Sequence, residues 1–113
     1  MPTVLTHTNN SMKVCAEEVF GPVVVIEKVA DFEAGIQAVN DSKYGLQVGV
    51  FTNRMDHFKQ AIEKCEVGGV MMNNIPGFRI DHMPYGGVKD SGLGREGLTY
   101  AMDEMTEGRL IVF

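Results

Sequence analysis

Short apolar, β-branched runs alternate along this chain with stretches whose apolar residues recur at helical spacing, and that alternation constrains the fold more than any other feature. Val23–Ile26 is a continuous β-branched run just after Gly21-Pro22, the pattern of a strand buried on both faces. Proline at the mouth of a strand removes no central ladder bond. Asp31 then stands where a helix cap belongs, and Phe32, Ile36 and Val39 follow at i, i+4 and i+7, one face of a helix. Gly45 stops that helix or leads into the next strand, and residues 46–51, with Val48 and Val50, form a second apolar run. Asn53 is placed to cap a second helix, with Asp56 in the first turn, where an acid complements the dipole. Met55, Phe58, Ile62 and Cys65 predict its apolar stripe. Gly68-Gly69 ends it, and residues 70–72 predict a third strand. A third helix is expected from about Arg95, with Leu98, Ala101, Met102 and Met105 along one face. Residues 110–113, Leu-Ile-Val-Phe, predict a fourth strand, and Thr3–Thr6 has the character of a short one.

Strand–helix–strand order implies crossover connections, which are right-handed and build parallel pairs. The expected fold is therefore α/β, a parallel-rich sheet with flanking helices. A chain of 113 residues is one small domain or part of a larger one, and its 44% hydrophobic content suits a globular core. Three amphipathic helices with a sheet to cover predict a compact unit. A net charge of -5 without a basic run argues against a nucleic-acid partner, which needs clustered Lys and Arg. No stretch approaches the apolar length of a membrane span. The first residues lack the charged and apolar regions of a secretory signal. Cys15 and Cys65 are expected as reduced thiols, and the cytoplasm is the expected compartment.

Residues 73–93 show little periodicity and predict a long functional loop. It runs into Gly92-Leu93-Gly94-Arg95-Glu96-Gly97, which matches the spacing of the dinucleotide fingerprint. That motif requires a strand directly before it and an acid some twenty residues later, and neither is present. The glycines are better explained by tight backbone geometry beside a helix start. Cys65 falls on a helical stripe, where burial would raise its pKa and make it inert. Cys15 precedes Glu17-Glu18, which also disfavours a thiolate. His7, His57 and His82 have no metal-ligand spacing; His57 is expected to be solvated on its helix, and His82 alone lies in the long loop. In Glu17-Glu18-Val19-Phe20-Gly21-Pro22, a carboxylate beside an aromatic ring suits a ligand with hydroxyls and a flat ring. Taken alone, a solvated acidic pair and a core phenylalanine explain the same residues.

Glu17 to Val23, together with Asn40-Asp41-Ser42-Lys43-Tyr44-Gly45-Leu46 and the segment from Pro84 to Glu96, resembles the C-terminal part of an aldehyde dehydrogenase. The three patterns are E-E-x-F-G-P-V, N-D-x-x-Y-G-L and P-F/Y-G-G-x-K-x-S-G-x-G-R-E, in the family's order, and Pro2-Thr3-Val4-Leu5 resembles its upstream P-T-V-L. The segment from Phe78 to Tyr85 resembles the branch acting on small polar aldehydes such as lactaldehyde or phosphorylated glyceraldehyde. The resemblance implies that Glu18 binds the nicotinamide-ribose hydroxyls of NAD or NADP and that Phe20 packs near the nicotinamide. It implies that Tyr85 lines the aldehyde pocket, with Arg79 and His82 in the variable substrate loop, where a cation attracts an anionic or hydroxylated aldehyde. It also implies that residues 108–113 join a sheet across subunits of a homo-oligomer. The family's nucleophilic cysteine sits in a G-Q-x-C context upstream of E-E-x-F-G-P, its general-base glutamate lies further upstream still, and neither Cys15 nor Cys65 matches. The expectation is a fragment that is inactive alone, binds no dinucleotide tightly and coordinates no metal, or alternatively an assembly module without catalysis.

Overall fold

The computed structural model describes residues 1–113. Two strand–crossover–strand units account for most of the regular structure. Strand β1 (Thr3–Thr6) pairs in parallel with β2 (Val23–Ile26), Thr3 opposite Val23 and Thr6 opposite Ile26. Parallel neighbours cannot be joined by a tight turn, so residues 7–22 make the connection, with one short helix, α1 (Lys13–Ala16), that the periodicity does not announce. Helix α2 (Phe32–Asn40) follows, capped as expected by Asp31, whose Oδ1 accepts from the Ala34 N–H at 2.9 Å. Strand β3 (Tyr44–Gly45) then leads to β4 (Gln47–Val50), which crosses over through α3 (Met55–Lys64) to the parallel β5 (Gly69–Met72).

The expected long loop contains a further strand, β6 (Val88–Lys89), antiparallel to β3, Tyr44 opposite Lys89 and Gly45 opposite Val88. Two residues are too few to show a period. The strands form three two-stranded pairs, two of them parallel, rather than one continuous sheet. Helix α4 (Leu98–Glu104) starts at Leu98 rather than near Arg95. The cause is a backbone pair between Tyr85 and Glu96 that holds Glu96 extended, followed by Gly97 at φ +125°, which a side chain would resist. Helix α3 likewise has Arg54, not Asn53, at its cap position. There the Thr52 hydroxyl accepts from the Arg54 N–H at 3.1 Å, and the Arg54 guanidinium pairs with Asp56.

The buried hydrophobic side chains are Ile36 on α2, Val50 on β4 and Ala61 on α3. Ile36 falls on the stripe the spacing predicts. On α3 the stripe is displaced: Ala61 is fully buried and Phe58 partly so, while Met55 and Ile62 are 76% and 65% exposed. The helix has only α2 and a two-stranded pair to lie against, so half of its apolar residues find no neighbour. The apolar side of α4 fares the same way, with Leu98, Met102 and Met105 exposed.

The predicted strand at 110–113 is not formed. A strand is defined by its ladder partner, and no other strand of the chain pairs with these residues; all four side chains are exposed. The expectation of a compact unit is also corrected. The radius of gyration is 17.5 Å and the extents are 66 × 34 × 24 Å, against roughly 13 Å for a compact chain of this length.

One close approach positions the site. A Cβ on Gly68, at the entry to β5, would run into the carbonyl oxygen of Gly86, so only glycine lets the loop after Tyr85 touch the end of the β4–β5 unit.

Candidate functional site

The loop between β5 and α4 is held by polar contacts at both ends. On one side Lys89 extends its ammonium to the carbonyls of Asn40 (2.6 Å) and Ser42 (3.1 Å) and to the Glu66 carboxylate (3.0 Å). The Asn40 side chain in turn donates to the Lys64 carbonyl (2.7 Å) and accepts from the Glu66 N–H (2.8 Å), closing the C-terminus of α3. The Ser91 hydroxyl accepts from the Gly45 N–H at 2.9 Å. On the other side the Arg95 guanidinium donates to the Gly87 carbonyl at 3.1 Å, and the Glu104 carboxylate accepts from the Arg95 N–H at 3.1 Å. The loop is therefore fixed on β3, α2, the α3–β5 turn and α4 together.

Held this way, Tyr85 faces Glu96 across a two-residue antiparallel bridge, exchanging backbone hydrogen bonds of 3.0 and 2.6 Å. The Arg79 guanidinium lies over the Tyr85 ring, 4.7 Å from its centroid, and pairs with the Glu96 carboxylate at 3.1 Å. A cation on the negative face of a phenol ring is attracted by its quadrupole. Arg79 and Tyr85 line a cavity of about 240 Å³ beneath β5, walled also by Gln47, Met71, Phe78 and Met83. The Gln47 amide reaches the Phe78 carbonyl at 3.2 Å, tying the far wall to β4.

The sequence-predicted site residues fall into two groups. Arg79 and Tyr85 are brought together in one cavity wall. His82, from the same loop, is exposed and does not line that cavity. Glu18 and Phe20 lie on the connection between α1 and β2, also outside it; Glu18 is exposed and in no ion pair, and Phe20 is 93% exposed. Glu96, the counter-ion of Arg79, was not singled out by sequence reasoning, although it closes the quoted G-R-E pattern. Lys89 was missed too. It is the lysine of the quoted G-G-x-K pattern, but its backbone at φ +55°, unusual for a non-glycine residue, is not revealed by spacing.

Among the titratable groups elsewhere, His57 is not solvated as expected. It is partly buried and stacks on Phe32 with ring centroids 4.0 Å apart and planes 1° from parallel, its Nδ1 3.3 Å from the Thr52 hydroxyl. It thus joins α2 to α3. Cys65 lies just past the end of α3 in extended conformation rather than on the helical stripe, yet it lines an apolar groove with Phe32 and Ile36, and burial raises its thiol pKa in the expected direction. No three His, Cys, Asp or Glu residues cluster as a metal site would require. No helix is long and apolar enough to cross a membrane.

A guanidinium laid on an aromatic ring at the edge of a part-apolar cavity, carried on a loop beside the parallel pair β4–β5, has the make-up of one wall of a small-molecule pocket in an α/β protein. The chain belongs to the aldehyde dehydrogenase family, whose family profile matches residues 1–111. It is 53% identical over 112 residues to a 3-sulfolactaldehyde dehydrogenase of Priestia aryabhattai, a match covering 99% of this chain and 24% of that protein. Among solved structures it resembles aldehyde dehydrogenase 21 of Physcomitrella patens in complex with the reaction product succinate, at 46% identity and a TM-score of 0.89 over 94% of this chain and 22% of that one. It also resembles a glyceraldehyde-3-phosphate dehydrogenase of Methanocaldococcus jannaschii complexed with NADP, at 43% identity and a TM-score of 0.83 over 92% and 22%. The chain thus spans about a quarter of the length of the relatives it matches. With these matches, the α/β fold and the family expected from the motifs are borne out.

Proposed function

We propose that this chain supplies the aldehyde-facing wall and part of the cofactor-facing edge of an NAD(P)-dependent aldehyde dehydrogenase, oxidising a small polar aldehyde of the lactaldehyde, sulfolactaldehyde or phosphorylated glyceraldehyde type to its acid in the cytoplasm. The observation that carries this reading is the Arg79 guanidinium held over Tyr85 at the cavity wall. It offers a cation to the polar end of the substrate and an aromatic face to its carbon chain. The names of the similar proteins, a sulfolactaldehyde and a glyceraldehyde-3-phosphate dehydrogenase, support a substrate that ends in an anionic group.

Glu18 and Phe20 suit a dinucleotide. The carboxylate is exposed with no ion pair to satisfy it, as an acceptor for ribose hydroxyls needs to be, and the neighbouring ring is uncovered. Bound there, NAD(P) would supply the hydride acceptor. Glu18 would orient the ribose, Phe20 would exclude water beside the ring, and Arg79 and Tyr85 would orient the aldehyde. The nucleophile and base belong to parts of the family protein that these 113 residues do not match. One carboxylate and one ring do not offset the entropy of immobilising a dinucleotide, so the chain alone is expected to bind it only weakly.

Two assays test this reading. The purified chain is expected to form no NADH from any small aldehyde, and robust turnover lost on changing Cys15 or Cys65 would overturn that. Grafted in place of the matching quarter of the Priestia aryabhattai relative, the chain is expected to sustain turnover, with Arg79→Ala raising KM for the anionic aldehyde by about tenfold or more. An unchanged KM would remove Arg79 from the substrate site.

A second reading rests on residues 110–113, four exposed apolar side chains with no ladder partner. They suit pairing with a strand edge of a second copy or of an intact subunit.

A further inference from the structure

The Arg79 guanidinium is already paired, and with a residue whose backbone is held in place. Tyr85 and Glu96 are bridge partners, so a single backbone pair places both the ring under Arg79 and the carboxylate beside it. Arg79 stands on the partition between two spaces. One is the cavity it shares with Tyr85; the other is a wider groove of about 740 Å³ against α4, which it shares with Glu96. Glu96 does not line the first. Glu96 therefore holds the guanidinium from the α4 side, while the guanidinium also covers the Tyr85 ring that lines the cavity.

An anionic group entering the Tyr85 cavity has to take Arg79 from Glu96. The exchange trades one carboxylate contact for another anionic contact, so its outcome depends on what the newcomer offers. A phosphate or sulfonate presents three oxygens and makes parallel, charge-assisted bonds to a guanidinium fork. A neutral hydroxyl does not match even the contact it would displace. The pair is exposed on both sides, 46% at Arg79 and 64% at Glu96, so it is weak enough for a strong anion to open. The backbone bridge to Tyr85 restrains Glu96 from following the guanidinium into the cavity.

We infer that Glu96 is a specificity-determining residue: its carboxylate holds Arg79 on Tyr85 as a latch that aldehydes ending in phosphate or sulfonate displace and neutral aldehydes leave closed. This inference rests on the reading of Arg79 as the substrate-facing cation.

The test uses the 113-residue chain, with inorganic sulfate as the probe at constant ionic strength. The signal followed is the Arg79 Nε–H resonance of 15N-labelled protein, assigned by its loss in Arg79→Gln. Glu96→Gln removes the competing charge. Glu96→Asp keeps the charge but shortens the side chain, so it separates loss of the contact from loss of net charge. Both are expected to tighten sulfate binding about two- to fivefold, the range that an exposed ion pair allows. The remote exposed Glu107→Gln is expected to leave it unchanged. Equal or weaker sulfate binding in both Glu96 variants, with a clear response in the parent chain, would overturn the latch while leaving Arg79 as an anion site. No sulfate response of Arg79 in any of the chains would overturn the Arg79 reading and the latch with it.

Discussion

The Lys89 ammonium lies 2.6 Å from the carbonyl oxygen of Asn40, at the end of α2, and its own backbone sits at φ +55°. The side chain supplies a cation to a helix C-terminus, where the dipole favours one. The backbone adopts a conformation that L-residues resist. The contacts of the ammonium hold the residue in it.

Replacing Lys89 separates these two effects. Lys89→Ala loses the ammonium and keeps the unfavourable φ; Lys89→Gly loses the ammonium and relieves it. Lys89→Gly is therefore expected to be more stable than Lys89→Ala by about 1 kcal/mol. Both are expected to fall below the parent chain, with faster hydrogen exchange at the Val88 and Lys89 amides. Urea midpoints ranking alanine above glycine would show that the left-handed geometry is not held in solution.

Ala61 has no exposed surface and sits at the one fully covered point of α3. Ala61→Leu adds three carbons to a closed space and is expected to cost about 1–3 kcal/mol. Ala61→Gly removes one and loses about 1 kcal/mol of helix propensity. Both lower the urea midpoint. A leucine that raised it would mean that the helix has room beneath it.

Ala61 also marks how far the amino-acid pattern carries. Periodicity places α2, β2, β4, α3 and β5 because each has several residues of one period, and Asp31 caps where its position says. It selects Met55 and Ile62 for burial because they are apolar at helical spacing, whereas the helix is fully covered only at the small Ala61. Two-residue β3 and β6 carry no period, and residues 110–113 carry strand character without a strand to pair with. At the candidate site, Tyr85 stands in one of the quoted family motifs and Arg79 in the variable loop before it. Their contact was not legible, because it depends on Glu96 being held opposite Tyr85, a pairing across eleven positions that no local pattern encodes. The same holds for His57, which stacks on Phe32, a residue 25 positions earlier in the chain, and so joins two helices.

Cys65 gives a prediction with a pH direction. Burial disfavours the thiolate and raises its pKa above the usual 9.0. The thiol is neutral in both the folded and the unfolded chain below that value. Above it the unfolded chain ionises first, so the folded state loses stability as pH rises from the ordinary thiol pKa toward the raised one. Cys65→Ala is expected to remove that alkaline decline, and iodoacetamide to label Cys65 several-fold faster in urea than in buffer. Identical alkaline slopes in the two chains would place the thiol in water.

Leu110, Ile111, Val112 and Phe113 are 87%, 66%, 81% and 114% exposed, and no strand of the chain pairs with them. An apolar segment with free backbone donors and acceptors is a template for a strand edge. Sheet addition would satisfy the backbone groups and bury alternate side chains on one face together. The chain is therefore expected to associate as concentration rises, and light scattering after size-exclusion is expected to report a mass above the monomer. Ile111→Lys places a charge within the segment while leaving α4 untouched, and it should weaken association about tenfold or more, since burying a side chain of this size is worth roughly 1.5–3 kcal/mol. If α4 alone drove association, through exposed Leu98, Met102 and Met105, then Met102→Lys would weaken it and Ile111→Lys would not. A strict monomer at every concentration would leave the strand character of the last four residues without a role in this chain.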